Sequence, residues 1–164
     1  MLKALCDMGH GDVLILADAN FPGETISKEC TYSRLLNSPE IDVNTLLKAL
    51  IARESSQGKF IRCPGVDVNT MLAAIADLFP LDVAYTKHPA CVMELTDSDK
   101  AKGMATPVAW TGFMDTLGKR YSGLELGKIE RFDFYEKAKK ASVIIQTGEE
   151  KPYGNLLLVK GCVL

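Results

Sequence analysis

The stretch D-V-L-I-L-A-D-A, Asp12 to Ala19, is apolar at every position from Val13 to Ala17 and closes on a carboxylate at Asp18. It is too short for a typical helix. Because it is apolar throughout rather than at alternate positions, it suits a strand covered on both faces. Upstream, Leu2 to Met8 reads as a short helix, with Gly9 where a left-handed C-terminal cap is expected. Downstream, Phe21-Pro22-Gly23 turns the chain. Phe60 to Cys63 reads as a short strand, and Asp67 to Leu78 as a helix with Leu72, Ile75 and Ala76 inward. Ala90 to Leu95 is a strand, Ser98 to Lys102 a polar turn or short helix, and Pro107 opens a helix reaching about Tyr121. Lys128 to Phe132 is a candidate strand, followed by a helix from Asp133, its cap, to Ala141. Ser142 to Thr147 and Asn155 to Lys160 are strands joined by a turn from Gly148 to Gly154. Strands separated by helices indicate an α/β layered fold with a largely buried sheet. A further amphipathic helix is expected over Asp42 to Glu54. Its opening, I-D-V-N-T-L-L from Ile41, is repeated as V-D-V-N-T-M-L from Val66.

The 164 residues suit one domain, 47% hydrophobic and 24% charged. The net charge of −2 offers no basic field to attract nucleic acid or an anionic membrane, so neither is expected as a partner. No apolar run approaches the length of a membrane span. Cys6, Cys30, Cys63, Cys91 and Cys162 are odd in number and far apart, with no C-x-x-C pair. They are read as reduced thiols in a cytoplasmic protein. Two histidines and dispersed thiols make a poor metal inventory, so no metal is expected. Glycine-rich nucleotide loops, G-x-S-x-G and H-E-x-x-H are absent, leaving hydride, phosphoryl and serine-hydrolase chemistry without support.

Several residues carry chemical potential. His10 sits in a Gly-His-Gly-Asp turn whose glycines free the backbone to expose the imidazole, a group able to give and take a proton near neutrality. An ordinary surface turn has the same composition. Asp18 lies at the carboxyl end of a buried strand, the edge where ligands bind in α/β sheets; a loop-capping role is the alternative. Tyr153, Gly154 and Asn155 precede the last strand. A flat ring with a hydroxyl, next to a carboxamide that both donates and accepts, matches the needs of a sugar; it also matches a hairpin turn. Arg131 and Tyr135 are four apart and share a face if their helix starts early.

M-G-H-G-D at Met8 to Asp12, A-D-A-N-F-P at Ala17 to Pro22, F-P-L-D at Phe79 to Asp82, I-E-R-F-D-F-Y-E-K-A-K-K-A from Ile129, and T-G-E…Y-G-N-L-L-L-V-K-G near the end resemble the fucose mutarotases, sisters of the ribose pyranases. V-M-E-L…S-D-K…T-P-V…W between Val92 and Trp110 resembles the animal branch. The resemblance implies a single-domain three-layer α/β/α sandwich with a central, mostly parallel sheet. It implies a homo-oligomer with sites near subunit interfaces and no cofactor. It points to His10 as proton donor and to Tyr135 as a second acid/base group. Asp18, Asp82, Arg131, Tyr153, Gly154 and Asn155 are the implied substrate-binding residues. The chain differs from the family pattern in beginning partway through the first helix and in an insertion around 27–59, across which the repeat lies.

The implied activity is interconversion of the α and β anomers of a free monosaccharide, L-fucose or a related sugar such as D-ribose, by acid/base-catalysed ring opening and closure. Pyranose/furanose interconversion and non-catalytic sugar binding, with catalysis disabled by the insertion, are the alternatives.

Overall fold

The computed structural model describes residues 2–29, 34–37 and 59–162. The helix expected over Asp42 to Glu54, with the first copy of the repeat, lies outside them. The described elements run α1 (Leu2–Asp7), β1 (Val13–Ala17), α2 (Gly23–Glu29), β2 (Arg34–Asn37), β3 (Lys59–Cys63), α3 (Val68–Ala76), β4 (Ala90–Met93), α4 (Asp97–Ala101), α5 (Val108–Gly118), β5 (Gly127–Ile129), α6 (Arg131–Lys139), β6 (Val143–Thr147) and β7 (Leu156–Val159).

The described strands form one sheet in the order β2-β3-β6-β1-β7-β4-β5. Every pairing is parallel except those of β7, which runs antiparallel between β1 and β4. The apolar run that opened the reading is therefore central: Leu14, Ile15, Leu16 and Ala17 are fully buried, with β6 on one side and β7 on the other. Its side chains alternate between two cores. Leu14 and Leu16 face Leu5 of α1, Met71, Leu72 and Ile75 of α3, and Phe113 and Leu117 of α5. Ile15 and Ala17 face Ile26 of α2 and Phe134 and Ala138 of α6. Each fully buried Leu, Ile or Phe contributes about 1.5–3 kcal/mol over its exposed state. The result is the expected three-layer α/β/α sandwich with a mostly parallel sheet.

Three points correct or extend the reading of the sequence. β5 ends at Ile129 and α6 begins at Arg131, so the helix cap is Glu130, not Asp133. Glu130 Oε2 accepts from the backbone N–H groups of Phe132 at 2.6 Å and Asp133 at 3.2 Å. A side chain one methylene longer than Asp reaches the same orphan donors, and Asp133 then lies in the first turn, where the helix dipole favours an anion. Second, β6 and β7 do not form a hairpin; β1 lies between them, so the connecting loop crosses the carboxyl end of β1. Third, two elements that the sequence reading left unassigned, α2 and β2, lie between Pro22 and Lys59.

Candidate active site

The two ends of β1 carry two separate constellations. At its amino end, the turn Gly9 to Asp12 is closed by Gly9 N–H to Asp12 Oδ2 at 2.8 Å. Gly11 adopts φ +84°, a left-handed conformation that glycine takes without steric cost. Gly11 N–H donates to the Lys160 carbonyl, tying the turn to the end of β7. His10 is left on the surface, its side chain 43% exposed, with Nε2 3.2 Å from Asp82 Oδ1. The Tyr85 ring lies 5.4 Å from the imidazole, centroid to centroid. Asp82 is delivered by the bridge between Leu81 and Lys160. It accepts from the Thr86 hydroxyl at 2.6 Å and the Tyr85 N–H at 3.3 Å. The Thr86 hydrogen bond above all, together with those from His10 and Tyr85, holds the Asp82 carboxyl below the usual carboxylate range.

At the carboxyl end, Asp18 is buried beside Asn155. Asn155 Oδ1 accepts from the Asp18 N–H at 3.0 Å, and its Nδ2 donates to Asp18 Oδ2 at 2.6 Å. Asp18 Oδ1 accepts from Asn20 N–H at 3.1 Å. Burial pushes the Asp18 carboxyl up, opposed by hydrogen bonds from Asn20, Asn155, Gly154 and Phe21. Gly154 fits where a side chain would not: a Cβ there would lie 2.8 Å from Glu149 Cγ and 3.2 Å from Asp18 Cβ. The position of the site follows from the crossing loop, since Ala19 N–H donates to the Glu149 carbonyl at 2.8 Å.

Helix α6 brings in Tyr135 and Arg131 on one face, because it starts early. The Tyr135 ring packs edge-on against Phe21, 5.7 Å between centroids. Burial raises the Tyr135 hydroxyl above its ordinary value; Arg131 opposes this and the Asp18 charge adds to it. The Arg131 guanidinium lies over the Phe132 ring. Tyr153 has φ +63°, the one non-glycine residue with positive φ among those described. For a tyrosine this costs about 1–3 kcal/mol. Its hydroxyl donates to Asp99 Oδ2 at 2.5 Å and accepts from Thr96 N–H at 3.1 Å, and its carbonyl accepts from Trp110 Nε1 at 3.2 Å.

Of the residues read from the sequence, the fold therefore brings Asp18, Tyr135, Tyr153, Gly154 and Asn155 to one sheet edge, with Arg131 on the same helix face as Tyr135. It pairs His10 with Asp82 at the opposite edge. The five residues of β1, at ~3.3 Å each, separate the two groups, which within one chain therefore stand roughly 15–20 Å apart. Two assignments change in detail. The Asn155 carboxamide, read as offering a donor and an acceptor to a ligand, turns its oxygen and one N–H to Asp18, with Nδ2 also 4.0 Å from Met93 Sδ. The Tyr153 hydroxyl is likewise engaged by Thr96 and Asp99. Asp99, Thr96 and Trp110 were not singled out as site residues, because nothing local marks them; they meet Tyr153 only through the fold.

A cavity of about 620 Å³ opens at the carboxyl edge, lined among others by Phe21, Pro22, Arg62, Gln146 and Thr147. Gln146 Nε2 donates to the carbonyls of Asp18, Ala19 and Phe21 and so braces the turn after Asp18. Among the described cysteines, neither buried thiol is poised as a nucleophile: burial pushes Cys63 up to about 11 and raises Cys91. Among the described residues no cluster of His, Cys, Asp and Glu is arranged to hold a metal ion, and no helix is long and apolar enough to cross a membrane.

The chain matches the model of the RbsD / FucU transport protein family over residues 1–57 and 52–163. It is similar to the fucose mutarotase of Homo sapiens, 40% identical over 98% of this chain and 86% of that protein, and to that of Danio rerio, 37% identical over 99% and 87%. Among solved structures it resembles the fucose mutarotase of Streptococcus pneumoniae in complex with L-fucose, with TM-score 0.71 and 30% identity over 99% of this chain and 91% of that one. FucU from Bifidobacterium longum aligns with TM-score 0.75 and 34% identity over 99% and 92%. RbsD from Bacillus subtilis complexed with D-ribose, 18% identical with TM-score 0.55 over 99% and 91%, shares the fold. With the family model matched over residues 1–57 and 52–163 and a relative 40% identical over 98% of the chain, this chain belongs to the RbsD / FucU family.

Proposed function

We propose that this chain is an L-fucose mutarotase, interconverting the α and β anomers of the free sugar. The observation that carries this reading is the near-complete alignment with proteins named fucose mutarotase, at up to 40% identity. Fucose is favoured over ribose because the structure holding L-fucose is 30% identical to this chain and the one holding D-ribose only 18%.

The chemistry asks little. One group removes the proton from the anomeric hydroxyl while another protonates the ring oxygen, and the C1–O5 bond breaks to leave the open aldehyde. Rotation about C1–C2 and reclosure on the other face returns both protons. No electrons or groups are transferred, so positioned acid and base side chains suffice, each contributing about 10²–10⁴-fold. His10, steadied by Asp82, handles one proton; Tyr135, beside Asp18, handles the other. Arg131 and the Tyr153–Asn155 loop shape the sugar's seat.

Because His10 and Tyr135 stand at opposite sheet edges of one chain, we place the complete pocket between two copies, the His10–Asp82 edge of one meeting the Asp18–Tyr135 edge of its neighbour. Supporting this is the exposure of His10, whose imidazole has Asp82 and Tyr85 beside it and open solvent beyond. We infer a cytoplasmic enzyme from its dispersed cysteines, of which Cys6, Cys63, Cys91 and Cys162 are free thiols. We read 27–59 as an insertion in one mutarotase domain; the family match runs through this region in two stretches, 1–57 and 52–163.

Saturation-transfer NMR of an L-fucose solution tests the activity. The protein should speed exchange between the anomeric protons, and His10→Ala should slow that exchange about 10²-fold or more. No acceleration by the unaltered protein would overturn the reading, and an unchanged rate in His10→Ala would remove His10 from the mechanism.

A further inference from the structure

We propose that Asp99 is a positioning residue of the sugar site, holding Tyr153 so that it offers the sugar an aromatic ring rather than a hydroxyl. The inference rests on the reading of Tyr153 as a sugar-binding residue.

Tyr153 is anchored at its hydroxyl and at its carbonyl. Its hydroxyl enters the first turn of α4, donating to Asp99 Oδ2 at 2.5 Å and accepting from the Thr96 N–H at 3.1 Å. Its carbonyl accepts from the Trp110 indole N–H at 3.2 Å, and the two rings pack edge-to-face, 6.4 Å apart. The Asp99 carboxylate is itself fixed. The Thr96 hydroxyl donates to Oδ2 at 2.8 Å and Lys102 Nζ lies 3.3 Å from Oδ1. The Tyr153 hydrogen bond is the largest influence holding the Asp99 carboxyl below its usual range, which marks the contact as charge-assisted.

The backbone supplies the second observation. At φ +63° a glycine would sit without steric cost, yet a tyrosine stands there. A turn needing only to connect β6 to β7 has no use for that strain. Strain with bonds at the hydroxyl, the carbonyl and the ring fits a side chain that must hold one place. The next two residues, Gly154 and Asn155, contact Asp18, so a shift of Tyr153 would be felt at the buried carboxylate. With the hydroxyl already satisfied, what remains for a sugar is the half-exposed ring, suited to an apolar C–H face.

The test compares Asp99→Ala, Asp99→Asn and Tyr153→Phe by two measurements. In anomer exchange, Asp99→Ala should lower kcat/KM for L-fucose about tenfold, the scale of one charge-assisted hydrogen bond, mainly through KM. Asp99→Asn, whose carboxamide oxygen still accepts from the hydroxyl, should restore most of it. Tyr153→Phe should lose as much as Asp99→Ala, and combining the two should cost no more than either alone. In spectra of protein with ¹³C-labelled tyrosine, the Tyr153 ring resonances should shift or broaden in Asp99→Ala and stay in place in Asp99→Asn. Unmoved ring resonances, an unchanged kcat/KM in Asp99→Ala, or failure of Asp99→Asn to rescue would overturn the proposal. Should Asp99→Ala not fold, Tyr153→Phe carries the kinetic comparison, since it removes only the hydroxyl, and an unchanged kcat/KM in that variant would overturn the proposal. Absence of exchange in the unaltered protein would sink the mutarotase reading instead, and the ring resonances would still decide whether Asp99 holds Tyr153.

Discussion

Asp18 and Asn155, 137 positions apart, meet through two hydrogen bonds, one to the Asp18 backbone and one to its carboxylate. Both residues are only 5% exposed, so water does not replace a lost partner. Asn155→Ala should therefore destabilise the protein by about 2–3 kcal/mol, read by urea denaturation, and let the Asp18 carboxyl titrate higher still, read by NMR. Asp82 shows the opposite behaviour. Its carboxyl is depressed, with Thr86 the leading cause, so its stabilising contribution is full above the unfolded carboxylate value of about 3.9 and is lost as pH falls through the lower folded value. Thr86→Val should lose most of that contribution. The stability gap between the two proteins should be complete at neutral pH and close under acid, as followed by thermal melts across the pH range.

At the scale of elements, caps decide where candidate site side chains stand. Glu130 caps α6 one residue before Arg131 and five before Tyr135. Glu130→Ala should cost about 1 kcal/mol and fray the turn carrying Arg131, so that both the denaturation midpoint and the anomer exchange rate fall. Asp67 caps α3 in the same manner, accepting from the N–H groups of Asn69 and Thr70 at 3.0 Å. Its helix packs into the core through Met71, Leu72 and Ile75, none of them placed in the site. Asp67→Ala should cost a similar amount of stability and leave the exchange rate per folded molecule unchanged. A matched loss of rate in both variants would show that α6 has no special part.

At the scale of the whole molecule, His10 stands at one sheet edge and Tyr135 at the other. If the pocket is completed between copies, His10→Ala and Tyr135→Phe chains damage different halves of each pocket. Each variant alone should be slow. Mixed and reassembled after mild denaturation, the two should recover exchange, because some pockets then combine an intact His10 edge with an intact Tyr135 edge. Recovery is measured by the same saturation-transfer experiment. No gain over the separate proteins would rule out a shared pocket.

Local composition indicated most of the elements: the unbroken apolar run Val13 to Ala17 suited a strand covered on both faces, and the Gly-His-Gly-Asp turn suited an exposed imidazole, because such preferences act within a few residues. The boundary of α6 was misread because two carboxylates, Glu130 and Asp133, compete for the cap, and their geometry rather than their type chooses between them. The resemblance pointed to candidate site residues but not to their grouping. That β1 inserts between β6 and β7, that Asn155 turns to Asp18, that Asp99 and Trp110 grip Tyr153, and that His10 stands far from all of them were decided by the tertiary structure alone. The reason is that such contacts join positions dozens of residues apart, whose energies depend on which strands become neighbours, and strand order is a property of the assembled sheet rather than of any stretch within it.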